Sequence, residues 1–356
     1  MAAAEPPSLP GAGAGAGAVR RTAFDREYCA LVARVKAAGI LVPCRQKDAA
    51  GAPVRAYTVT GETVRVPFGG TTRWDPARGR YRIEVPSLTV KHLPLATVAE
   101  ELAWFLRGET NSRALEARGC KIWKADADKA TQARLAAGVP EAEAAARDGD
   151  LGPIYGYQLC GRPDGNQVLR LVAGLCADPG GRRNVASCWD VAALGDMALP
   201  PCHFAVQLVS YPQAAGVRVD CVVSMRSADV GLGLPFNVAS YALLTVLCCA
   251  EASRRAGRRY VPGEVVVNMG ACHIYEAHMP RLEGLVRDVS PGAGRAAYVL
   301  DLPEALAGVD RFAKASSRAL WKATRPANDP HDKSAQEGGD EPPWNPAPRV
   351  SLPLYT

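Results

Sequence analysis

The chain lacks several features that would mark particular classes of protein. None of its eleven cysteines forms a Cys-x-x-Cys pair, so neither a dithiol redox motif nor paired zinc ligands can be read. The cysteine count is odd, and Cys248 and Cys249 adjoin, a usage that fits free, mostly buried thiols in a reducing compartment. His and Cys are scattered without ligand spacing, and no metal is expected. No run of five basic residues occurs, so a dedicated nucleic-acid arm, and nucleic acid as a partner, are not expected. No stretch of about 18 uninterrupted apolar residues is present, which argues against a membrane-spanning helix. Residues 1–18 lack the basic start and continuous apolar stretch of a signal peptide. The expected location is cytoplasmic, with the nucleus also allowed. Aromatic residues are sparse at 6%.

What is present describes a globular chain. It has 356 residues, 48% hydrophobic and 22% charged, enough for one large domain or two small ones. The net charge of +6, from 42 basic and 36 acidic residues, is mild and suits an anionic small substrate. Residues 1–22 are Ala-, Gly- and Pro-rich and read as a flexible tail. A helix is expected over 24–38, where Phe24, Tyr28, Leu31, Val32 and Val35 make one face and Gly39 is a stop. Residues 55–68 read as strand, turn at Gly61, strand. A helix over 97–107 would be capped by Thr97, with Glu100 three residues on. The Ala- and Asp-rich stretch 124–149 reads as a helical insertion. A strand pair is expected at 204–211 and 217–225 around Gly216, a long apolar helix over 236–256, and a strand over 264–269. Residues 325–348 are polar and Pro-rich and read as a surface loop or disordered insert.

Two segments carry the chemistry. In residues 199–203, Leu-Pro-Pro-Cys-His, two prolines restrict the backbone before Cys202 and hold its thiol in one place. A thiol attacks only as thiolate and needs positive charge nearby, which Arg226, at the end of a neighbouring strand, could supply. The plain alternative is a buried, inert cysteine, the commoner fate of a lone Cys. In residues 226–241, Arg-Ser-Ala-Asp-Val-Gly-Leu-Gly-Leu-Pro-Phe-Asn-Val-Ala-Ser-Tyr, polar groups stand before a Gly-rich turn that feeds an apolar helix. There Asn237, beside Phe236, offers both a donor and an acceptor to a ring edge such as that of uracil.

Together these segments resemble thymidylate synthase, and five more agree in the family's order. Residues 101–111 (ELAWFLRGETN) resemble the helix bearing its catalytic glutamate. Ile122 and Trp123 resemble its folate-stacking tryptophan, and 150–158 (DLGPIYGYQ) is nearly the family pattern. Arg182 and Arg183, before Trp189, resemble the arginine pair that reaches the partner's nucleotide phosphate, and 270–275 (GACHIY) the segment that binds the deoxyribose hydroxyl. The resemblance covers roughly 24–322 and, weakly, 344–353.

It implies an α/β (α+β) fold: a large mixed β-sheet flanked by helices, dimerising through the sheet, over residues 23–356 with insertions near 124–149 and 325–343. It implies conversion of dUMP to dTMP with 5,10-methylenetetrahydrofolate as one-carbon donor and reductant. Cys202 would attack carbon 6 of the pyrimidine, Glu101 would organise proton transfers through water, Tyr155 would help remove the carbon-5 proton, and Asn237 would orient the base and discriminate uracil from cytosine. Arg182, Arg183 and Arg226, with Ser227, would hold phosphate, joined by Arg45. His273 and Tyr275 would hold the sugar, with His203 in the substrate site. Asp229 would hold the pterin, with Trp123 and Phe236 on the folate. Read singly, Glu101 could be a solvated carboxylate, Trp123 plain core, the arginine pair an exposed loop and His203 a structural histidine.

Four departures from the family stand out. Met225 occupies the place of a glutamine, and Ala271, followed by Cys272, that of an aspartate. Residues 43–51 differ from the usual phosphate loop, and 345–356 from the short apolar end that closes over the folate. An end that admits water would give a hydroxymethyl product. The alternatives are therefore a pyrimidine nucleotide 5-hydroxymethylase of the same fold, or a degenerate homologue that only binds. Asn237 argues against a cytosine substrate, and Trp123 favours methylation.

Overall fold

Thr22 and Asp25 start the first helix as a reciprocal cap. The Thr22 hydroxyl accepts from the Asp25 amide at 3.0 Å, and the Asp25 carboxylate accepts from the Thr22 amide at 2.9 Å. The buried Asp25 carboxylate also accepts from the Thr89 amide at 2.8 Å and the Thr89 hydroxyl at 2.6 Å. One capping residue thus ties the helix to a segment more than sixty positions away in the chain. The structure is a computed structural model that describes residues 22–47, 51–69, 72–75, 80–91, 93–287 and 299–324. The tail at 1–21 and the Pro-rich stretch from 325 to the C-terminus lie outside the described residues.

In chain order the elements are α1 (Ala23–Ala38), β1 (Ile40–Lys47), β2 (Pro53–Pro67), β3 (Arg73–Asp75), β4 (Arg80–Glu84), α2 (Leu95–Leu106), α3 (Ser112–Glu116), α4 (Lys124–Ala136), α5 (Glu141–Ala146), α6 (Gln167–Ala177) and β5 (Val185–Ser187). There follow β6 (His203–Gln213), β7 (Gly216–Asp229), α7 (Gly233–Ala256), β8 (Tyr260–Tyr275), α8 (Met279–Arg287), β9 (Val299–Pro303), α9 (Val309–Ala313) and α10 (Ser317–Thr324). Six strands form a mixed sheet in the order β1-β2-β8-β7-β6-β5, and β3-β4-β9 form a small second sheet. Among the described residues only β7 and β8 run parallel; the other pairs are antiparallel. Parallel neighbours need a crossover, and α7 is that crossover. This is the mixed α/β architecture, with a large sheet flanked by helices, that the sequence led us to expect.

Several boundaries differ from the periodicity. Residues 53–67 form one continuous strand and not a hairpin at Gly61. Its partner β8 runs alongside throughout, from Ala56 opposite Tyr275 to Pro67 opposite Glu264, so a reversal at Gly61 would cost the whole ladder. Gly61 takes φ +78° as a local kink within the strand. The helix expected to start at Thr97 begins at Leu95, and its N-cap, Pro94, makes no side-chain cap. Gly39 ends α1 in an extended conformation, φ −69°, not a left-handed one. Strands β7 and β8 extend past their expected ends because each supplies the other's partners, up to Asp229 opposite His273. Helix α7 starts at Gly233, three residues early, since Pro235 is tolerated in a first turn.

Among the described residues, α7 is the one helix long and apolar enough to cross a membrane by length and composition, although polar residues interrupt its apolar run. In this fold 78% of its most apolar window is buried. It packs on β7, β8, α2, α6 and α9 as the central helix of the core.

Candidate active site

The Pro200–Pro201 step delivers Cys202 to the start of β6, where three long-range contacts hold it. Its amide donates to the Tyr155 hydroxyl at 2.7 Å. Its carbonyl accepts from the Arg226 amide at 2.8 Å. The Arg226 guanidinium donates through Nε to the Pro201 carbonyl at 2.9 Å and through Nη2 to the Pro200 carbonyl at 2.7 Å, and Nη2 lies 3.8 Å from the Cys202 sulfur. Arg226 therefore does two things. It clamps the proline turn, and it places a fixed positive charge on the thiol. Burial pushes the thiol's pKa up, Arg226 pulls it down, and the acids Asp126 and Asp229 push it up again. A planar fork of donors suits this clamp, which a lysine could not reproduce.

Tyr155 stacks on the His203 ring, with centroids 4.1 Å apart and planes 14° from parallel. His203 Nδ1 is 2.7 Å from the Tyr241 hydroxyl. Burial pulls the His203 pKa down to about 3, so its ring is neutral. The buried His203 ring thus lies between Tyr155 and Tyr241.

Glu101 projects from α2 and takes a hydrogen bond from the Trp123 indole at 2.8 Å. Burial raises its carboxyl to about 7, against the lowering effect of that bond. An acid poised near neutrality can both give and take a proton. Trp123 is 9% exposed and packs against Trp104 and Tyr155 at 6.3 and 5.9 Å between centroids. The neighbouring Glu100 faces away and pairs with Arg118 at 2.7 Å.

The far wall is the turn between β7 and α7. Asp229 Oδ1 accepts from the amides of Gly231 and Leu232 at 2.8 and 3.2 Å. A Cβ built on Gly233 would meet Asn237 Oδ1 at 3.7 Å and Asp229 Cβ at 3.8 Å, which places these three together. The Asn237 amide is half-buried in α7 and has no hydrogen-bond partner among the described residues. Phe236, beside it, packs on the core. His273, opposite Asp229 in register, lies edge-on to Tyr275 at 5.2 Å. Burial lowers its pKa and Asp229 opposes that.

The structure brings together Cys202, Glu101, Tyr155, His203, Trp123 and Arg226 through direct contacts, and Asp229, Asn237, His273 and Tyr275 at the adjacent turn and strand. Ser227 lies on β7 in register with Ala271. Met225 and Ala271 lie on the same two paired strands, Met225 opposite both His203 and Met269. Arg182 and Arg183 are exposed ahead of the edge strand β5, and their side chains have no partner among the described residues. Arg45 is exposed on β1, with β2 and β8 between it and β7. Among the described residues no contact joins these three arginines to Cys202.

Sequence reasoning missed three residues. Lys91 bonds to the Gly231 carbonyl, and burial lowers its pKa to about 8 while Asp229 opposes this. Tyr241 supports His203, and the charge of Asp126, on α4, is among those that raise the thiol's pKa. The indole bond to Glu101 was also unforeseen. All depend on contacts between distant segments, and no local pattern marks them.

A constrained thiol under an arginine clamp, a half-buried acid near neutrality and an unpartnered amide in the first turns of α7 give this mixed α/β fold an enzyme-like site. The family model of thymidylate synthase matches residues 26–293, well over half of the chain, and the chain belongs to that family. The family's enzymes are folate-dependent transferases of nucleotide biosynthesis that bind dUMP.

Proposed function

We propose that this protein converts dUMP to dTMP, with 5,10-methylenetetrahydrofolate as one-carbon donor and reductant. The observation that carries the reading is the joint placement of Cys202, Arg226 and Tyr155. One thiol is fixed in space, supplied with positive charge, and held within reach of a buried phenol. In this reading the Cys202 sulfur adds to carbon 6 of the pyrimidine, which makes carbon 5 nucleophilic. Tyr155 assists removal of the carbon-5 proton, and Glu101, near neutrality, handles protons on the base through water. The free amide of Asn237 reads the pyrimidine edge, and its lack of a protein partner supports that role. His273 and Tyr275 hold the sugar, and Arg226 with Ser227 holds the phosphate. The folate, held by Asp229, Trp123 and Phe236, supplies the one-carbon unit and the hydride.

Arg182, Arg183 and the outer face of the sheet fit a homodimer that shares its sites. Along β6 and β7, buried Val206, Leu208, Cys221 and Val223 alternate with half-exposed Gln207, Val209, Val222 and Ser224. A second copy would cover the half-exposed set and bring its exposed arginines to the neighbouring site. Arg45 is assigned to the same phosphate, and the location is assigned to the cytoplasm.

The test is a product assay on the full chain with dUMP and methylenetetrahydrofolate, read by absorbance for dihydrofolate and by mass for the nucleotide. Methylated product with dihydrofolate, lost in Cys202→Ala, is the expected result. A hydroxymethyl product with tetrahydrofolate would replace the methylation reading. No turnover by a folded protein would reject both.

A further inference from the structure

A cleft of about 600 Å³ opens between the C-terminal ends of α6 and α7. It is lined by Ala173, Cys176 and Ala177 from α6, and by Arg255, Ala256 and Arg258 from the end of α7 and the turn after it. The proposed chemistry does not use it. Arg255 lies at the opposite end of α7 from Asn237, about 27 Å along the axis at about 1.5 Å per residue.

The chain gathers positive charge here and leaves it unbalanced. Arg254 and Arg255 close the last turn of α7, and both donate to the same Glu251 oxygen, Arg255 at 2.7 Å. Two guanidinium groups on one carboxylate leave one positive charge in excess. Gly257 then takes φ +62°, the left-handed conformation that ends the helix, and the chain turns back toward β8. Arg258, in that turn, is held by a neutral group. Its Nε and Nη2 each donate to the Tyr260 hydroxyl at 3.1 Å, and its guanidinium lies 5.4 Å from the centre of the same ring. That hydroxyl is itself fixed, because Tyr260 is buried and donates to the Leu175 carbonyl at 2.8 Å. Among the described residues Arg258 has no carboxylate partner, so its charge is oriented without being neutralised. Nη1 of Arg258 and both terminal nitrogens of Arg255 make no hydrogen bond among the described residues.

Fixed guanidinium groups with free donors suit phosphate oxygens. The rest of the lining is apolar: three alanines and the Cys176 sulfur, which lies 3.8 Å from the Ala252 carbonyl and so closes the floor between the two helices. Burial raises the pKa of that thiol, and Arg255 and Arg258 lower it, which agrees with both charges lying beside the sulfur. The volume is that of a small-molecule site. We propose that this cleft is a second anion site, which binds a phosphate-bearing small molecule of nucleotide size, with its phosphates on Arg255 and Arg258 and its organic body on the alanines. The inference does not depend on the proposed function.

Cys176 reports on the cleft. In the full chain, its alkylation by iodoacetamide is followed by peptide mass, with and without ATP at constant ionic strength. Inorganic tripolyphosphate is the probe that carries phosphates and no organic body. ATP slows alkylation of Cys176 several-fold, and tripolyphosphate protects less at the same concentration. Arg255→Gln and Arg258→Gln each raise the ATP concentration for half-maximal protection about tenfold, the scale of one lost charge-assisted hydrogen bond. Arg255→Gln leaves Tyr260 and its contacts untouched, so its effect cannot come from a disturbed turn. Both variants keep the wild-type KM for dUMP. Equal alkylation with and without ATP overturns the proposal, as does protection that survives unchanged in both variants. Tripolyphosphate that protects as well as ATP overturns the assignment of an organic body to the alanines.

Discussion

Replacing Glu101 with glutamine tests the central electrostatic claim without any substrate. In the folded protein the Glu101 carboxyl sits at about 7, against an ordinary 4.5, because burial disfavours its ionised form. A folded-state pKa above the unfolded one means that the neutral acid is the native partner. Its contribution is fully present below 4.5 and is lost as pH rises through about 7. Once ionised, the half-buried carboxylate costs about 3 kcal/mol, one pKa unit being about 1.4 kcal/mol. Glutamine keeps the shape and an acceptor for the Trp123 indole but has nothing to ionise. The stability of Glu101→Gln relative to wild type should therefore grow by about 2 to 3 kcal/mol between pH 5 and pH 8.5. The His203 ring, neutral in both proteins, cancels in this difference. The assay is urea unfolding of both proteins at five pH values in that range, followed by tryptophan fluorescence. A difference constant across the range would refute the reasoning, since it would mean that Glu101 is ionised and solvated in the native state. The same variant should lose activity, which makes it a stabilising change at alkaline pH that disables the enzyme.

Other outcomes follow from the contacts described. Arg226→Lys loses the forked hold on the Pro200 and Pro201 carbonyls, so kcat/KM should fall by about 100-fold or more, and thiol alkylation should shift to higher pH. Asn237→Ala removes an amide with no protein partner. The melting temperature should move little while the KM for dUMP rises about 10- to 100-fold, measured by calorimetry and steady-state kinetics. Leu244→Ala, in the buried face of α7, should cost about 2–5 kcal/mol in urea unfolding without changing the KM of whatever protein remains folded.

The sequence by itself determined the elements whose signals are local. The apolar spacing of Phe24, Tyr28, Leu31 and Val35 placed α1 to within a residue at its start. Alternation either side of Gly216 placed the β6–β7 pair. The proline pair before Cys202 and the ordered segments around it pointed to the chemistry, since motifs that hold a reacting group are short and contiguous. The residues that went unread depend on register and packing. Gly61 looked like a turn because nothing in residues 55–68 reveals that β8 will run alongside them. The Arg226 clamp exists because β6 and β7 pair with His203 opposite Met225, which aims the next side chain at the proline turn. Trp123 reaches Glu101, and Lys91 reaches Gly231, across 22 and 140 residues. Asp126 was passed over inside an Ala-rich stretch that reads as insertion. Side-chain identity is written in the sequence, but which charge faces which is decided by how the chain closes on itself. At this site burial and long-range pairing set the protonation of Glu101, His203 and Cys202, and neither is a property of any local run of residues.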